Sequence, residues 1–470
     1  MTARWDADLV VVGSETEGCL SAIAAQRAGA RTLLVADPDV LLGGLLTEGG
    51  LAFVDRDSRH LLPPERSPDD GAFGRFLAEA GVPLVALEAR AGDRTLARLL
   101  AEAGGTVVRA RWTGVRMESG AIAALRLADG LELRARHFLD ATPDADLAEA
   151  CGLSFSDGFR EYGLDRYLGV SPLPIVHGVT PEVIVETCRR LERDPVLEGM
   201  RVEVFGQRRF LDLERGGDYI LVGPPHLGLA YQRWRDREGL SGPYPFEADG
   251  FNVAIVGPAS TSWNGLLYFC QDLETLLRLS RGGADDFFQS EARRFERFLR
   301  EGLGWEDAWV EMPRGMYVRQ TRHAREVRHR LTLAEIAGGY DGTSVGTFCY
   351  YPDFRGFRAV AVPSPLTAHV ILEAGLARHV RNLGLATRAG GYTAFAHSLC
   401  RLVQYNATLG TALGVAAALA DDDLGSVPVA AIRSELTRQG ILADDRAGLE
   451  RNERARVALA GDPIMSLEHA

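Results

Sequence analysis

Short apolar runs separated by glycine turns open the chain, and their order predicts alternating strands and helices. Asp8-Leu9-Val10-Val11-Val12 is a β-branched strand, Gly13 to Gly18 a tight turn, and Cys19 to Ala28 a helix of small residues. Arg31 to Val35 makes a second strand, closed by Asp37. An acid about 20 residues after the turn completes a dinucleotide fingerprint. In that fingerprint the glycines allow a sharp strand exit and close helix-sheet packing, the helix N-terminus faces a pyrophosphate, and the acid takes a ribose hydroxyl. Gly13-Ser14-Glu15-Thr16-Glu17-Gly18 departs from it once: Glu15 stands where a second glycine lets the backbone approach the phosphates. A carboxylate there either repels the phosphates or turns outward and only reshapes the turn.

The alternation continues downstream. Asp93 to Gly104 is helical, with Leu96, Leu99 and Leu100 on one face. Strands are expected at Thr106 to Val115, Ala121 to Leu127 and Leu131 to Arg134, and a fourth at His137 to Thr142. Phe155 to about Val370 changes character, being rich in proline and aromatics and then helical from Leu266 to Gly302. The closing unit is a short strand within Arg381 to Arg388, a loop, and a helix from about Leu402 to Ala420. On that helix Ala407, Gly410, Thr411, Gly414 and Ala418 form a stripe of mostly small residues, which lets its backbone lie close to a sheet or a planar ligand.

After Asp37 comes a second glycine cluster, Leu41-Leu42-Gly43-Gly44-Leu45-Leu46-Thr47-Glu48-Gly49-Gly50. With the fingerprint and the acid, it resembles the first domain of FAD-dependent oxidoreductases of the glutathione-reductase type. Further landmarks follow in order: Trp263-Asn264-Gly265-Leu266, Met316 to Arg322 with its Arg-x-Thr-Arg signature, Leu331 to Ile336, and Tyr351-Pro352-Asp353. These are similar to the landmarks of the large bacterial FAD-dependent oxidoreductase family. The resemblance implies an α/β fold: a Rossmann-like FAD-binding domain, parallel sheet plus β-meander, with an inserted α+β substrate domain. The expected division is 1–155 and 371–425 for the FAD-binding domain, 156–370 for the substrate domain, and 426–470 for a helical tail. It also implies FAD contacts at Gly13, Ser14, Glu15, Thr16, Glu17, Gly18, Asp37, Pro38, Gly43, Gly44, Leu45, Thr47, Trp112, Ala141, Thr142, Arg388, Gly410 and Thr411. Two more family glycines are replaced, by Pro143 and Thr387, and proline has no N–H to offer a ligand.

Composition narrows the chemistry. The chain has no lysine, which excludes Schiff-base chemistry and a Walker lysine. A formal net charge of −12 disfavours a nucleic-acid partner, and with it a flavin enzyme acting on tRNA. The one basic run, Arg314 to Arg330, reads on charge alone as a solvated helix face. The six cysteines form no CxxC pair, which suits reduced, buried thiols; Cys19, at the start of the first helix, is placed for a lowered thiol pKa or is simply small. No metal-ligand spacing, signal peptide or membrane span is apparent, so the expected compartment is the cytoplasm.

With lysine absent, a proton must be taken by histidine, tyrosine, aspartate or water. The resemblance places His397 over the flavin, against the reading that it merely caps a loop. Arg401 is either a partner of a substrate carboxylate or flavin carbonyl, or a structural ion pair. Tyr351, in the cluster Tyr350, Tyr351, Asp353 and Arg355, walls a pocket or only packs, and His323 faces pocket or solvent. Two function classes follow: an FAD-dependent dehydrogenase or oxidase of a small organic substrate, and a flavoprotein-fold scaffold with weak or lost FAD. Substrate, electron acceptor and oligomeric state are left open by the sequence.

Overall fold

The computed structural model describes residues 6–57, 71–193, 202–204, 207–209, 213–355, 365–442 and 444. β1 (Ala7–Val12), α1 (Thr16–Arg27) and β2 (Thr32–Ala36) form the unit expected at the start. The helix begins three residues before Cys19, because Thr16 donates its hydroxyl to the Gly43 carbonyl at 3.0 Å and so enters the first turn. A helix at Ala89–Ala103 follows, ended by Gly104 in the left-handed conformation.

The expected strand Thr106 to Val115 is two strands. β3 (Thr106–Arg109) pairs in parallel with β2, and β4 (Trp112–Glu118) leaves for an antiparallel meander with β5 (Ala121–Leu127) and β6 (Glu132–Leu133). β7 (Ala135–Asp140) returns beside β1. The closing strand, Leu383–Leu385, adds beyond β7, giving a five-stranded parallel sheet in the order closing strand, β7, β1, β2, β3. The fold is therefore the mixed α/β, Rossmann-type one expected.

A second sheet is antiparallel and includes Tyr219–Val222, Phe246–Gly257, Ser260–Tyr268, Ile175–His177 and Trp309–Glu311. It overturns part of the helical expectation for Leu266 to Gly302. Thr261 to Tyr268 is buried throughout, and a short run buried on both faces does not distinguish strand from helix by periodicity. Helices start only at Leu273 and Asp286, where Asp272 and Asp285 accept first-turn amides. The basic run is not a solvated helix face either. It contains the short strands Tyr317–Val318 and Arg322–Ala324, and Arg319 and Arg322 are buried. Arg322 reaches the Asp144 carbonyl at 2.8 Å and ion-pairs with Glu149.

The closing helix, Val403–Leu419, carries the small-residue stripe, and Gly410 and Gly414 on that stripe meet α1. A Cβ on Gly410 would come within 2.8 Å of the Glu17 carbonyl, and one on Gly414 would overlap the Ser21 carbonyl. Thr411 turns its hydroxyl back to the Ala407 carbonyl at 2.6 Å. Gly410 and Thr411 are thus placed by helix packing. Among the described residues no helix is long and apolar enough to cross a membrane. Gly414→Ala should lower stability by about 1–3 kcal/mol despite the better helix propensity of alanine, because the obstacle is backbone. Urea unfolding checks this, and an unchanged midpoint would remove the close helix contact from the account.

Candidate functional site

A groove of about 550 Å³ lies at the carboxyl ends of β1, β2 and β7, the position where open parallel sheets bind ligands. Its lining includes Gly13, Ser14 and Glu15 from the turn after β1, Asp37 and Trp112, and Gly44, Leu45, Thr142, Pro143 and Arg388. Residues Ser280 to Gly283 and Arg314 to Met316, which the sequence did not single out as cofactor contacts, come from the inserted region and line the groove as well. Nothing in their local pattern marks them, since the fold of a distant segment brings them there.

Each element sits where its chemistry requires. Gly13 is left-handed, at φ +111°, and a side chain on it would overlap the Ala141 carbonyl. Gly18 packs its Cα toward Ala141, whose Cβ is 2.5 Å from where a Gly18 Cβ would stand. Asp37 is exposed at the end of β2, with Pro38 beside it, and Arg109 holds the chain there through the Asp37 and Val40 carbonyls. Thr47 ties the glycine turn together by donating to the Leu42 carbonyl at 2.9 Å.

Glu15 does not turn outward. It is 8 % exposed, and its carboxylate accepts the Leu45 N–H at 3.0 Å, lying so close to Gly44 that any side chain there would overlap it. The turn after β1 and the Gly43–Gly44 turn are also joined by a 2.7 Å bond from Gly43 N–H to the Ser14 carbonyl. Burial raises the Glu15 carboxyl above its ordinary range, while the Arg388 charge and the Leu45 amide act against this. Burial, and then the charge of Glu15, pushes Glu17 up to about 8. Cys19 is no activated thiol: burial raises it.

The other two replaced glycines meet each other, since Thr387 donates its hydroxyl to the Pro143 carbonyl at 3.1 Å. The same loop hangs from Asp140, which accepts the Thr142 hydroxyl at 2.7 Å and the Ala148 N–H at 2.8 Å.

The proposed catalytic residues divide. His323 and His397 are buried with ring centroids 4.5 Å apart. His397 Nε2 lies 2.9 Å from the Arg319 carbonyl, so this nitrogen carries the proton. Burial drives His397 down to about 3, leaving a neutral ring at neutral pH. Arg401 is buried and held by the Tyr317 hydroxyl and the Asp353 carboxylate. Tyr351 stands apart, 45 % exposed; its neighbour Tyr350 is the inward one, bonded to Asp55 at 2.8 Å. Among the described residues no cluster of metal-ligating side chains is present.

The sequence profile of the family described as "FAD dependent oxidoreductase" matches residues 8–436. The chain belongs to the FAD dependent oxidoreductase family. Solved structures with a similar course include the flavin-dependent brominase Bmp2, at 11% identity, 92% of this chain, 83% of that one and a TM-score of 0.43. Another is a geranylgeranyl bacteriochlorophyll reductase-like protein from Thermoplasma acidophilum, at 12% identity, 98% and 90% coverage and a TM-score of 0.39. A third is the anhydrotetracycline hydroxylase OxyS from Streptomyces rimosus, at 14% identity, 98% and 71% coverage and 0.39. At that distance they carry nothing about chemistry; the family match does.

FAD is the cofactor of this oxidoreductase family, and the groove suits its adenosine and pyrophosphate half. Its lining holds the acid Asp37 and four guanidinium groups, Arg111, Arg281, Arg314 and Arg388, the residue types that ribose hydroxyls and phosphates require. Buried Arg388 Nε has no partner among the described residues. Asp37→Ala should therefore weaken FAD binding by about 1.5–3 kcal/mol, measured by flavin fluorescence titration. Unchanged affinity in a folded variant would move the ribose contact elsewhere.

The histidine pair gives a pH prediction. A folded-state pKa held below the unfolded value near 6.5 means the unfolded chain binds the extra proton, so stability falls with acid from about pH 6.5 toward the folded value. His397→Gln keeps a donor for the Arg319 carbonyl and removes the titration. Its loss of stability between about pH 7 and pH 5 should be smaller than that of the parent by about 1–2 kcal/mol, read from urea unfolding at the two pH values; equal losses would contradict a buried neutral His397.

Proposed function

We propose that this oxidoreductase is a dehydrogenase or oxidase that takes hydride from a small organic substrate. The observation that carries the reading is one groove lined together by Asp37, Trp112, the turn before α1 and Arg388, in a chain whose family is FAD dependent. FAD, when bound, supplies the hydride acceptor. Residues 156–370 are proposed as the substrate-facing unit, joined to the cofactor groove through Arg281, Arg314 and Met316.

The protein's own groups then have limited tasks. Asp37 takes the adenosine ribose, and Arg388 faces the negative charge of the pyrophosphate. Arg401, fixed by Tyr317 and Asp353, presents a positively charged group in a buried setting and orients an electron-rich substrate oxygen. His397 donates through Nε2 to Arg319, which leaves Nδ1 as its acceptor position. So weak a base accepts a hydrogen bond from a substrate hydroxyl and takes the proton only while negative charge develops beside it. His323, against the His397 ring, supports its orientation.

One observation favours a second reading, a scaffold on a flavoprotein fold with weak or lost FAD: the Glu15 carboxylate occupies the Leu45 amide beside the α1 N-terminus. A single preparation separates the two. The enzyme reading expects a flavin absorption spectrum in purified or FAD-supplemented protein, flavin released by heat or acid, and bleaching of the bound flavin under anaerobic conditions by an oxidisable substrate. Colourless protein that takes up no added FAD would sustain the scaffold instead.

A further inference from the structure

A carboxylate, Glu15, is buried where the fingerprint would bring a backbone toward the pyrophosphate, and a second, Glu17, is buried two residues further along α1. Glu15 is 8 % and Glu17 4 % exposed, and they are the N-cap and second residue of the 12-residue helix α1. Glu15 lines the groove and already accepts the Leu45 N–H. Glu17 has an oxygen, Oε2, buried without a partner among the described residues. The cation in reach of both is Arg388, itself 8 % exposed, lining the groove, with its Nε unpartnered among the described residues. Arg281 and Arg314, which also line the groove, are ion-paired to Asp146 and Glu48, so Arg388 is the guanidinium that faces both buried carboxylates. Charge of that density, taken out of water, is relieved by protonation.

We propose that the Glu15–Glu17 pair carries a proton that belongs to the FAD site, so that FAD binds to the protonated pair and not to the doubly ionised one. The proposal rests on the reading of the groove as the FAD site. A protonated carboxyl changes from pure acceptor to donor, and at this position it offers the pyrophosphate a hydrogen bond in place of the close backbone approach that a glycine would allow. Glu15 is then a binding residue, not a remnant.

The surroundings agree. On α1 itself the neighbours are Cys19 and the pair; the loop after β7 brings Asp144, the loop after the closing strand brings Arg388, and the following loop brings Tyr392 near Glu17. The Gly43–Leu46 turn contributes an amide and no titratable side chain. Tyr405, from the closing helix, stands next to Tyr392 with ring centroids 5.7 Å apart. Asp144 adds negative charge, and Cys19, Tyr392 and Tyr405 are all held in their neutral forms, so among the charged groups around the pair Arg388 is what opposes proton uptake, helped by the backbone amides at Leu45 and Glu17. The raised positions of both carboxyls, Glu17 up to about 8, fit a pair that keeps a proton at neutral pH.

The test is FAD affinity by fluorescence or calorimetric titration from about pH 6 to about pH 9, on the full-length wild type and on Glu15→Gln, Glu17→Gln and the double variant. Glutamine copies the shape of the protonated acid but does not titrate. The wild type should hold its affinity at the acid end and lose up to about tenfold per pH unit as the pair ionises. The double variant should bind FAD with a flat profile, more than tenfold tighter than wild type at the alkaline end. Calorimetry in two buffers of different ionisation enthalpy should show proton uptake on binding near the alkaline end in the wild type and none in the double variant. FAD affinity independent of pH in the wild type, or the same slope in the double variant, overturns the proposal while leaving the FAD site in place. No binding to either protein at any pH overturns the FAD reading of the groove, and the proposal with it.

Discussion

The arrangement depends on how closely α1 is seated. Gly13 and Gly18 bring its N-terminal end against Ala141 at the end of β7, and Gly410 and Gly414 bring the closing helix against the Glu17 and Ser21 carbonyls on its other side. A methyl group at any of these four positions would meet backbone or a Cβ at less than 3 Å. Backbone cannot yield as a flexible side chain can, so α1 is fixed in depth and direction from two sides. Its N-terminus is thereby held in place, with Glu15 lining the groove and Glu17 buried two residues further along the helix.

This seating explains why the replaced glycines do not disorder the site. Glu15 fills space over Gly44 and joins the two glycine turns through the Leu45 amide, and the Pro143 carbonyl accepts the Thr387 hydroxyl. Each loss of a family glycine is met by a contact between segments that surround the same groove.

The inserted region contributes more than a cover. Arg281 and Arg314 reach the groove while ion-paired to Asp146 and Glu48, and Arg319 is buried between Ser171, Asn264 and the Tyr317 ring. With no lysine in the chain, every permanently charged basic side chain is a guanidinium group, which binds oxygen pairs through a planar, directional fork.

The sequence by itself determined the opening unit, the strand ending at Asp37, the second glycine cluster and the closing helix, because each is marked by a local pattern of apolar, small or glycine residues. It also placed the anomaly at Glu15, since only a glycine is expected at that point of the turn. Tertiary structure decided the rest. It split Thr106 to Val115 between two sheets, made a strand of the run before Leu273, and buried Arg319 and Arg322 from a run whose charge suggested solvent. It separated Tyr351 from the buried cluster and set Gly410 against the α1 backbone. The direction of the Glu15 carboxylate, and the arginines that come to the groove from the inserted region, were equally beyond reach of local pattern. Burial and charge at a site are sums over segments far apart in the chain, and only the folded chain carries out that sum.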